Sequence, residues 1–373
     1  MNDQTPNLTA SNTVAQLMDS SGITVVAVVD DVFGGPSVAD YRASEFEEFW
    51  AEIQHDEAAT AELLAYGISI RSPQDIDRNV LITLLANRDR LVRLKPAFEM
   101  YFAPTFDAKL KPVDSLCNCL ERELHRTVVR SDGMDDLNDP SIRLIFLDYF
   151  LEERSEAESI RKARRLAEEI KVKYSQDRRP VVLLMSSKPD ITPDMIASMR
   201  KGAGFLGTMF EFVSKQLFAE TLKLVITVGC IVKSLPERQQ VQLFVEAVEN
   251  SISNATEKLQ DSVRGLSFED YAYIQKLSLQ REGHPLGDYV SWLYSTYFGH
   301  LLCDSIPERE ALDALTFAKL PTASFEPSSQ FIDIYKNIVT QPAGPIGGHP
   351  RDKRAAEPDS APFLHFGDMG VFT

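Results

Sequence analysis

Several kinds of residue and motif are scarce in this sequence, and each shortage excludes a class of protein. Only four cysteines occur among 373 residues, and a single residue separates Cys117 from Cys119, which matches no zinc-binding motif. We therefore expect reduced thiols in a cytoplasmic protein. No nucleophile elbow, glycine-rich phosphate loop or metal-binding triad is present, so the common signatures of hydrolases and nucleotide-binding proteins are missing.

Positive charge is also scarce. The chain carries 39 Lys and Arg against 55 Asp and Glu, a net charge of −16. Because binding to phosphate backbones needs a basic face, we expect no nucleic-acid partner. The most apolar stretch, residues 222–232, is too short to cross a bilayer and contains Lys223, so we expect no membrane partner. Residues 1–20 are polar and lack a secretory signal, and we expect a flexible leader there.

The sequence does contain an alternation of strand-like and helical segments. The short apolar or β-branched runs typical of buried strands are residues 23–29, 127–130, 142–147, 181–185 and 212–214. Segments with apolar residues at three- and four-residue spacing lie between them. This alternation predicts an α/β fold, with an open parallel sheet and helices on both of its faces.

The same pattern divides the chain into four parts. Residues 21–235 contain all the predicted strands, with a helical insertion at about residues 36–112 that Pro104 and Pro112 bring to an end. Residues 236–320 are predicted to form a helical C-terminal module. Residues 321–373 are predicted to form an extended tail, because Pro, Gly and Ser are dense there.

Polar side chains of complementary chemistry follow the predicted strands. Asp30 and Asp31 follow the first strand, Asp148 the third, and Ser186 and Lys215 the last two. The carboxyl ends of parallel strands share one edge of the sheet, where ligands usually bind. Mg²⁺ prefers carboxylate oxygens, an Asp carboxylate can attack phosphorus, and a lysine offers a mobile positive charge to a phosphoryl oxygen. These residues therefore predict a site for Mg²⁺ and a phosphoryl group.

In this arrangement the sequence resembles the receiver domain of bacterial two-component response regulators. That family has an acidic pair after the first strand, a phospho-accepting Asp after the third, Ser or Thr after the fourth and Lys after the fifth. The residues that match this pattern, in order, are Asp30, Asp31, Asp148, Ser186 and Lys215. Phe212 stands three residues before the lysine, where the family has a switch aromatic.

The resemblance covers about residues 21–235 and implies a flavodoxin-like five-stranded parallel sheet with a role in a phosphorelay. Asp148 would take a phosphoryl group from a histidine kinase, and Ser186 together with Phe212 would report its arrival. The Mg²⁺ ligands that the resemblance implies are Asp30, Asp31, Asp148 and the backbone carbonyl of Phe150. The signal would then pass to a second copy of the chain in a homodimer, or to a downstream effector protein.

The chain departs from the family in three ways. The insertion separates the acidic pair from Asp148 more widely than usual, Gln216 replaces the proline after the lysine, and residues 149–152 lack the usual Pro and Gly. We therefore expect a divergent receiver.

Other functions remain open from the sequence. A degenerate receiver would keep the fold as a structural adaptor. A hydrolase would use Asp148 as its nucleophile, although Phe150 stands where such hydrolases place a second acid. The output is equally open: a regulated protein interaction, a passive phosphate sink, or an enzyme activity in residues 236–320 with a cleft around His284, Asp288 and His300.

Overall fold

The computed structural model describes residues 5–133, 135–151, 156–175, 178–205, 207, 209–279, 285–303, 331, 332 and 334. The chain divides into two compact units, Met1–Gln242 and Leu243–Thr373. None of the described helices is both long and apolar enough to cross a membrane.

A five-stranded parallel sheet lies at the centre of the first unit. Its strands are β1 (Val25–Val29), β2 (Thr127–Ser131), β3 (Ile142–Asp148), β4 (Val181–Ser186) and β5 (Phe210–Ser214). They are ordered β2-β1-β3-β4-β5, and every neighbouring pair is parallel. Nearly every residue of β1, β3 and β4 is buried, as in sheets that are covered on both faces. The predicted α/β fold with a parallel sheet is confirmed.

Helices flank this sheet, and side-chain caps fix where several of them begin. The described helices of the first unit are α1 (Thr5–Ser20), α2 (Ala43–Ile53), α3 (Glu57–Ala65), α4 (Arg78–Ala86), α5 (Lys95–Tyr101), α6 (Ala103–Asn118), α7 (Glu156–Lys173), α8 (Pro193–Ala203) and α9 (Thr221–Lys233). Asp56 caps α3 and Thr192 caps α8, each by accepting hydrogen bonds from backbone N–H groups of the first turn. The helix α8 ends at Ala203 and is followed by Gly204, whose φ of 68° suits glycine.

The helical block that follows β1 has a hydrophobic cluster of its own within residues 41–103. Phe102 lies at its centre and contacts the rings of Tyr41, Phe46, Phe49 and Phe98. The Tyr41 hydroxyl also donates a hydrogen bond of 3.1 Å to the Phe102 carbonyl.

The expected end of this block differs from the structure. Pro104 lies in the first turn of α6, where a missing N–H costs nothing, and Pro112 lies inside the same helix. The helix α6 therefore continues to Asn118. In its last turns Val113 and Leu116 are part of the hydrophobic core that also contains the strands.

The expected flexible leader is wrong from Thr5 onward, because this segment is the helix α1 and packs against α9. The buried residues Ser11, Val14, Ala15 and Met18 recur at three- and four-residue spacing and form one face of the helix.

Two contacts hold α1 in place. The buried guanidinium of Arg126 pairs with the Asp19 carboxylate and donates hydrogen bonds of 2.9 Å to the Ala15 carbonyl and 3.0 Å to the Ile23 carbonyl. On α9, Gly229 allows a close approach of the two helices, since a Cβ at that position would lie 2.7 Å from Val14 Cγ2.

The second unit is helical where it is described. The helix α10 (Leu235–Gly265) begins in the first unit and ends in the second, which also contains α11 (Phe268–Tyr273) and α12 (Leu286–Cys303). A hydrogen bond of 2.7 Å joins the hydroxyls of Tyr271 and Tyr294. His284 and, apart from residues 331, 332 and 334, the predicted tail lie outside the described residues.

Candidate functional site

The strand register brings the polar strand ends to one edge of the sheet. Val29 of β1 pairs with Leu147 of β3, so Asp30 and Asp148 leave neighbouring strands at the same level. Asp148 pairs in turn with Met185, the residue before Ser186, and Ser186 pairs with Ser214, the residue before Lys215. Acids, hydroxyl and lysine therefore line the carboxyl edge of β1, β3, β4 and β5.

At the centre of this edge lies a buried cluster of three acids and one lysine. Lys215 Nζ lies 2.7 Å from Asp30 Oδ2 and 2.9 Å from Asp148 Oδ2. Carboxylate oxygens of Asp30, Asp31 and Asp148 all lie within 4.8 Å of one another. Asp30 is 1% exposed, Asp148 5% and Lys215 8%, whereas Asp31 is only half-buried. We call this set of four residues the acid–lysine cluster.

Short turns after the strands hold the cluster in place. Asp30 accepts a hydrogen bond of 3.2 Å from Val32 N and so caps the 3₁₀ turn Asp31–Gly34. Lys215 begins a second 3₁₀ turn, Lys215–Ala219, which the Ser214 hydroxyl caps by accepting from Gln216 N at 3.3 Å. Both turns start where a strand ends, so the backbone fixes the positions of Asp30, Asp31 and Lys215 at the same edge of the sheet.

Burial and mutual repulsion set the charges of the cluster. Burial, with the charge of Asp30 added, raises the pKa of Asp148 to about 7, against an opposing effect of Lys215. The same two causes raise the pKa of Asp31 to about 7. Burial acts to lower the pKa of Lys215, but the charges of Asp148 and Asp30 outweigh it and raise that pKa above its usual range. Lys215 is therefore charged. Ionisation of Asp31 and Asp148 is unfavourable, because each new negative charge is buried close to that of Asp30.

A divalent cation suits this arrangement. Three ionised carboxylates and one ammonium group leave a net charge of −2, which one such ion would neutralise. Asp30 Oδ2 is buried and accepts no well-aligned hydrogen bond from a described residue, although Lys215 lies beside it. Carboxylate oxygens are the ligands that Mg²⁺ prefers. The donor set therefore fits Mg²⁺.

The remaining predicted residues lie around the cluster. Ser186 is buried at the end of β4, and its hydroxyl accepts a hydrogen bond of 3.1 Å from Lys188 N. Phe212 is half-buried in β5. Phe150 follows β3, and its N–H donates a long hydrogen bond of 3.4 Å to Asp148 Oδ1. The ammonium group of Lys188 lies 3.9 Å from the centre of the Phe150 ring.

Sequence reasoning missed one charged residue near the cluster. Lys109, on α6, forms an ion pair with Asp40, and its positive charge acts to lower the pKa of Asp31. These two partners are 69 positions apart in the sequence, so no local pattern could have connected them.

The positions of the described residues do not support the predicted cleft around His284, Asp288 and His300. Asp288 and His300 both lie on α12, twelve residues apart, which corresponds to about 18 Å along a helix axis. They do not meet in one small pocket, and His284 lies outside the described residues.

The fold and the site together define a parallel α/β protein with a buried acid–lysine cluster at the carboxyl edge of its sheet. Comparisons of the chain with protein-family models, with curated proteins and with solved structures found no match. The function is therefore inferred from the residues and contacts of the site.

Proposed function

We propose that the first unit is a receiver domain of the two-component type, in which Asp148 accepts a phosphoryl group from a histidine kinase. The observation that carries this proposal is the buried Lys215, which pairs with Asp148 and Asp30 beside a third acid. The strand order β2-β1-β3-β4-β5 adds support, because it is the flavodoxin-like order, in which ligands bind at the carboxyl ends of the strands.

The proposed metal is Mg²⁺, held by Asp30, Asp31, Asp148 and the backbone carbonyl of Phe150. When bound, the ion would offset the negative charge of the transferring group. The raised pKa values of Asp31 and Asp148 support this role, since a site that penalises its own ionisation gains from a nearby cation.

The proposed transfer uses the residues of the chain as follows. A carboxylate oxygen of Asp148 forms a bond to phosphorus while the phosphorus–nitrogen bond of the donor histidine breaks, and the imidazole leaves with the electron pair. Lys215 already lies 2.9 Å from Asp148 Oδ2, within reach of an oxygen of the new acyl phosphate. Ser186, at the end of the next strand, would donate a hydrogen bond to a second phosphoryl oxygen.

The proposed output is a change of protein contacts. Movement of Ser186 toward the phosphoryl group would leave space for Phe212, which is only half-buried on the neighbouring strand β5. The turn Lys215–Ala219 leads directly into α9, so a shift at the site would reach that helix. A second copy of the chain or a downstream effector protein would detect the shift, whereas a passive phosphate sink would show none.

The test is labelling with acetyl phosphate and Mg²⁺. We expect one hydroxylamine-labile phosphoryl group per chain, measured by intact mass, and none in Asp148→Asn. The matched control is Asp132→Asn, because Asp132 follows β2 at the same edge but lies outside the acid–lysine cluster. Undiminished labelling of Asp148→Asn, or equal loss in both variants, would contradict the proposal.

A further inference from the structure

The helix α6 lies beside the acid–lysine cluster and carries a second lysine. This helix packs against both turns that carry the cluster, Asp31–Gly34 and Lys215–Ala219. Lys109 lies in the middle of α6, and 43% of its side chain is exposed, against 9% for Lys215. Lys215 is therefore buried against Asp30 and Asp148, whereas Lys109 pairs with Asp40 and is partly exposed to solvent.

The helix that carries Lys109 contacts the turn that begins with Asp31. Its ammonium group acts to lower the pKa of Asp31, the most exposed acid of the cluster. Its ion-pair partner is Asp40, at the end of the 3₁₀ turn Val38–Asp40. An ammonium group has three N–H donors, so a single carboxylate leaves donating capacity that faces solvent.

An incoming phosphoryl donor meets an electrostatic obstacle at this edge. The donor carries negative charge, and the cluster has a net charge of −2 when its acids are ionised. Lys215 is already paired with two carboxylates inside the protein. An exposed cation at the mouth would reduce the repulsion during approach, and its flexible stem allows it to change partners.

We propose that Lys109 is a positioning residue that receives the anionic phosphoryl group of the donor at the mouth of the site, exchanging its ion pair with Asp40 for the phosphoryl oxygens. This inference rests on the proposed function and adds to it the recognition of the donor. The ligand is any phosphoryl donor with a free dianionic or monoanionic group. Asp40 competes with the donor for the same ammonium group.

The experiment compares Lys109→Gln with Asp40→Asn, which break the same ion pair from opposite sides. With acetyl phosphate as the donor, Lys109→Gln should raise the half-saturating concentration about two- to fivefold, the range expected for one exposed charge pair, and leave the maximal labelling rate unchanged. Asp40→Asn should lower the half-saturating concentration, because it frees Lys109. Lys109→Arg should behave as the wild-type protein.

Two further measurements separate recognition from a structural role. Raising the salt concentration should weaken donor use in the wild-type protein more than in Lys109→Gln, because screening acts on the charge that the variant lacks. Without donor, Mg²⁺ should bind more tightly to Lys109→Gln, since a repelling cation has been removed. Donor binding and metal binding thus shift in opposite directions, which a general loss of structure does not produce.

The outcomes are distinct. A wild-type protein that takes no phosphoryl group overturns the proposed function, and this inference with it. If the wild-type protein is labelled but Lys109→Gln has the same half-saturating concentration and the same salt dependence, this inference is overturned and the proposed function stands. Equal impairment in Lys109→Gln and Asp40→Asn also overturns it, because the ion pair would then act only as a clamp between α6 and the turn Val38–Asp40.

Discussion

The acid–lysine cluster should make the protein less stable at neutral pH than at mildly acidic pH, and Asp148→Asn should remove the part of that loss that comes from Asp148. Asp148 is buried beside Asp30 and Asp31, and one lysine does not offset three carboxylates. Asn has nearly the same volume and no charge, so it resembles the protonated form of Asp148. The variant therefore tests the cost of ionisation with little change of packing.

The magnitude follows from the pKa of Asp148. An unfolded Asp titrates near ~3.9, whereas the folded pKa is about 7. Between these values the folded state binds a proton that the unfolded state does not, so wild-type stability falls as pH rises through this window. A difference of about three units, at about 1.36 kcal/mol each, corresponds to roughly 4 kcal/mol at pH 8. We expect Asp148→Asn to regain up to about that amount above pH 7, and nothing below about pH 4.

The assay is urea denaturation of both proteins without metal, at several pH values between 4 and 8. Asp89→Asn is the control, because Asp89 is exposed and lies outside the cluster; its stability should follow that of the wild-type protein at every pH. Saturating Mg²⁺ should stabilise the wild-type protein more than Asp148→Asn. A variant that is less stable than the wild-type protein at pH 8 without metal would refute the reasoning, because the ion pair with Lys215 would then outweigh the repulsion.

Two further predictions concern the N-terminal helix. Removal of residues 1–20 should lower the denaturation midpoint and increase the binding of a hydrophobic dye, because it uncovers α9 and takes Asp19 and the Ala15 carbonyl away from the buried Arg126; unchanged dye binding would contradict the packing. Gly229→Ala should destabilise by about 1–3 kcal/mol in thermal or urea denaturation, because the new methyl group meets Val14. Gly299→Ala, in open space on α12, should instead stabilise its helix by up to about 1 kcal/mol.

The sheet was predictable because its three inner strands, β1, β3 and β4, are buried on both faces. A strand of that kind is a continuous apolar run, and the polar residue that follows marks its end. Asp148 follows the apolar run 142–147 in the sequence, and in the structure it is the last residue of β3. The first residues of two strands were predicted less accurately. β1 begins at Val25 and β5 at Phe210, each two residues from the expected position. The site residues could be singled out for the same reason, since strand ends are visible in sequence.

The features that the sequence did not reveal depend on tertiary contacts. The spacing of Val14, Ala15 and Met18 was a signal for α1, but the polar residues around it favoured a leader. The contacts of α1 with α9 and with Arg126 explain why this segment packs as a helix. Pro112 suggested a helix end, yet α6 continues through it, because Phe106 before the proline and Val113 after it both pack in the hydrophobic core. The pairing of Lys109 with Asp40 requires the fold of the whole helical block.

The separate hydrophobic cluster of the helical block has a consequence for the order in which the chain folds. β1 pairs with β2 at one side of the sheet, yet residues 30–126 separate these two strands in the sequence. If the block collapses first around Phe102, the chain that must still close consists of residues 30–40 and 104–126. The closing chain then shrinks from roughly a hundred residues to roughly thirty-five, which lowers the entropic cost of closure by about 1 kcal/mol. In that order of events the helical block would act as a local nucleus that brings two distant strands together, and substitutions in the cluster around Phe102 would slow the assembly of the sheet.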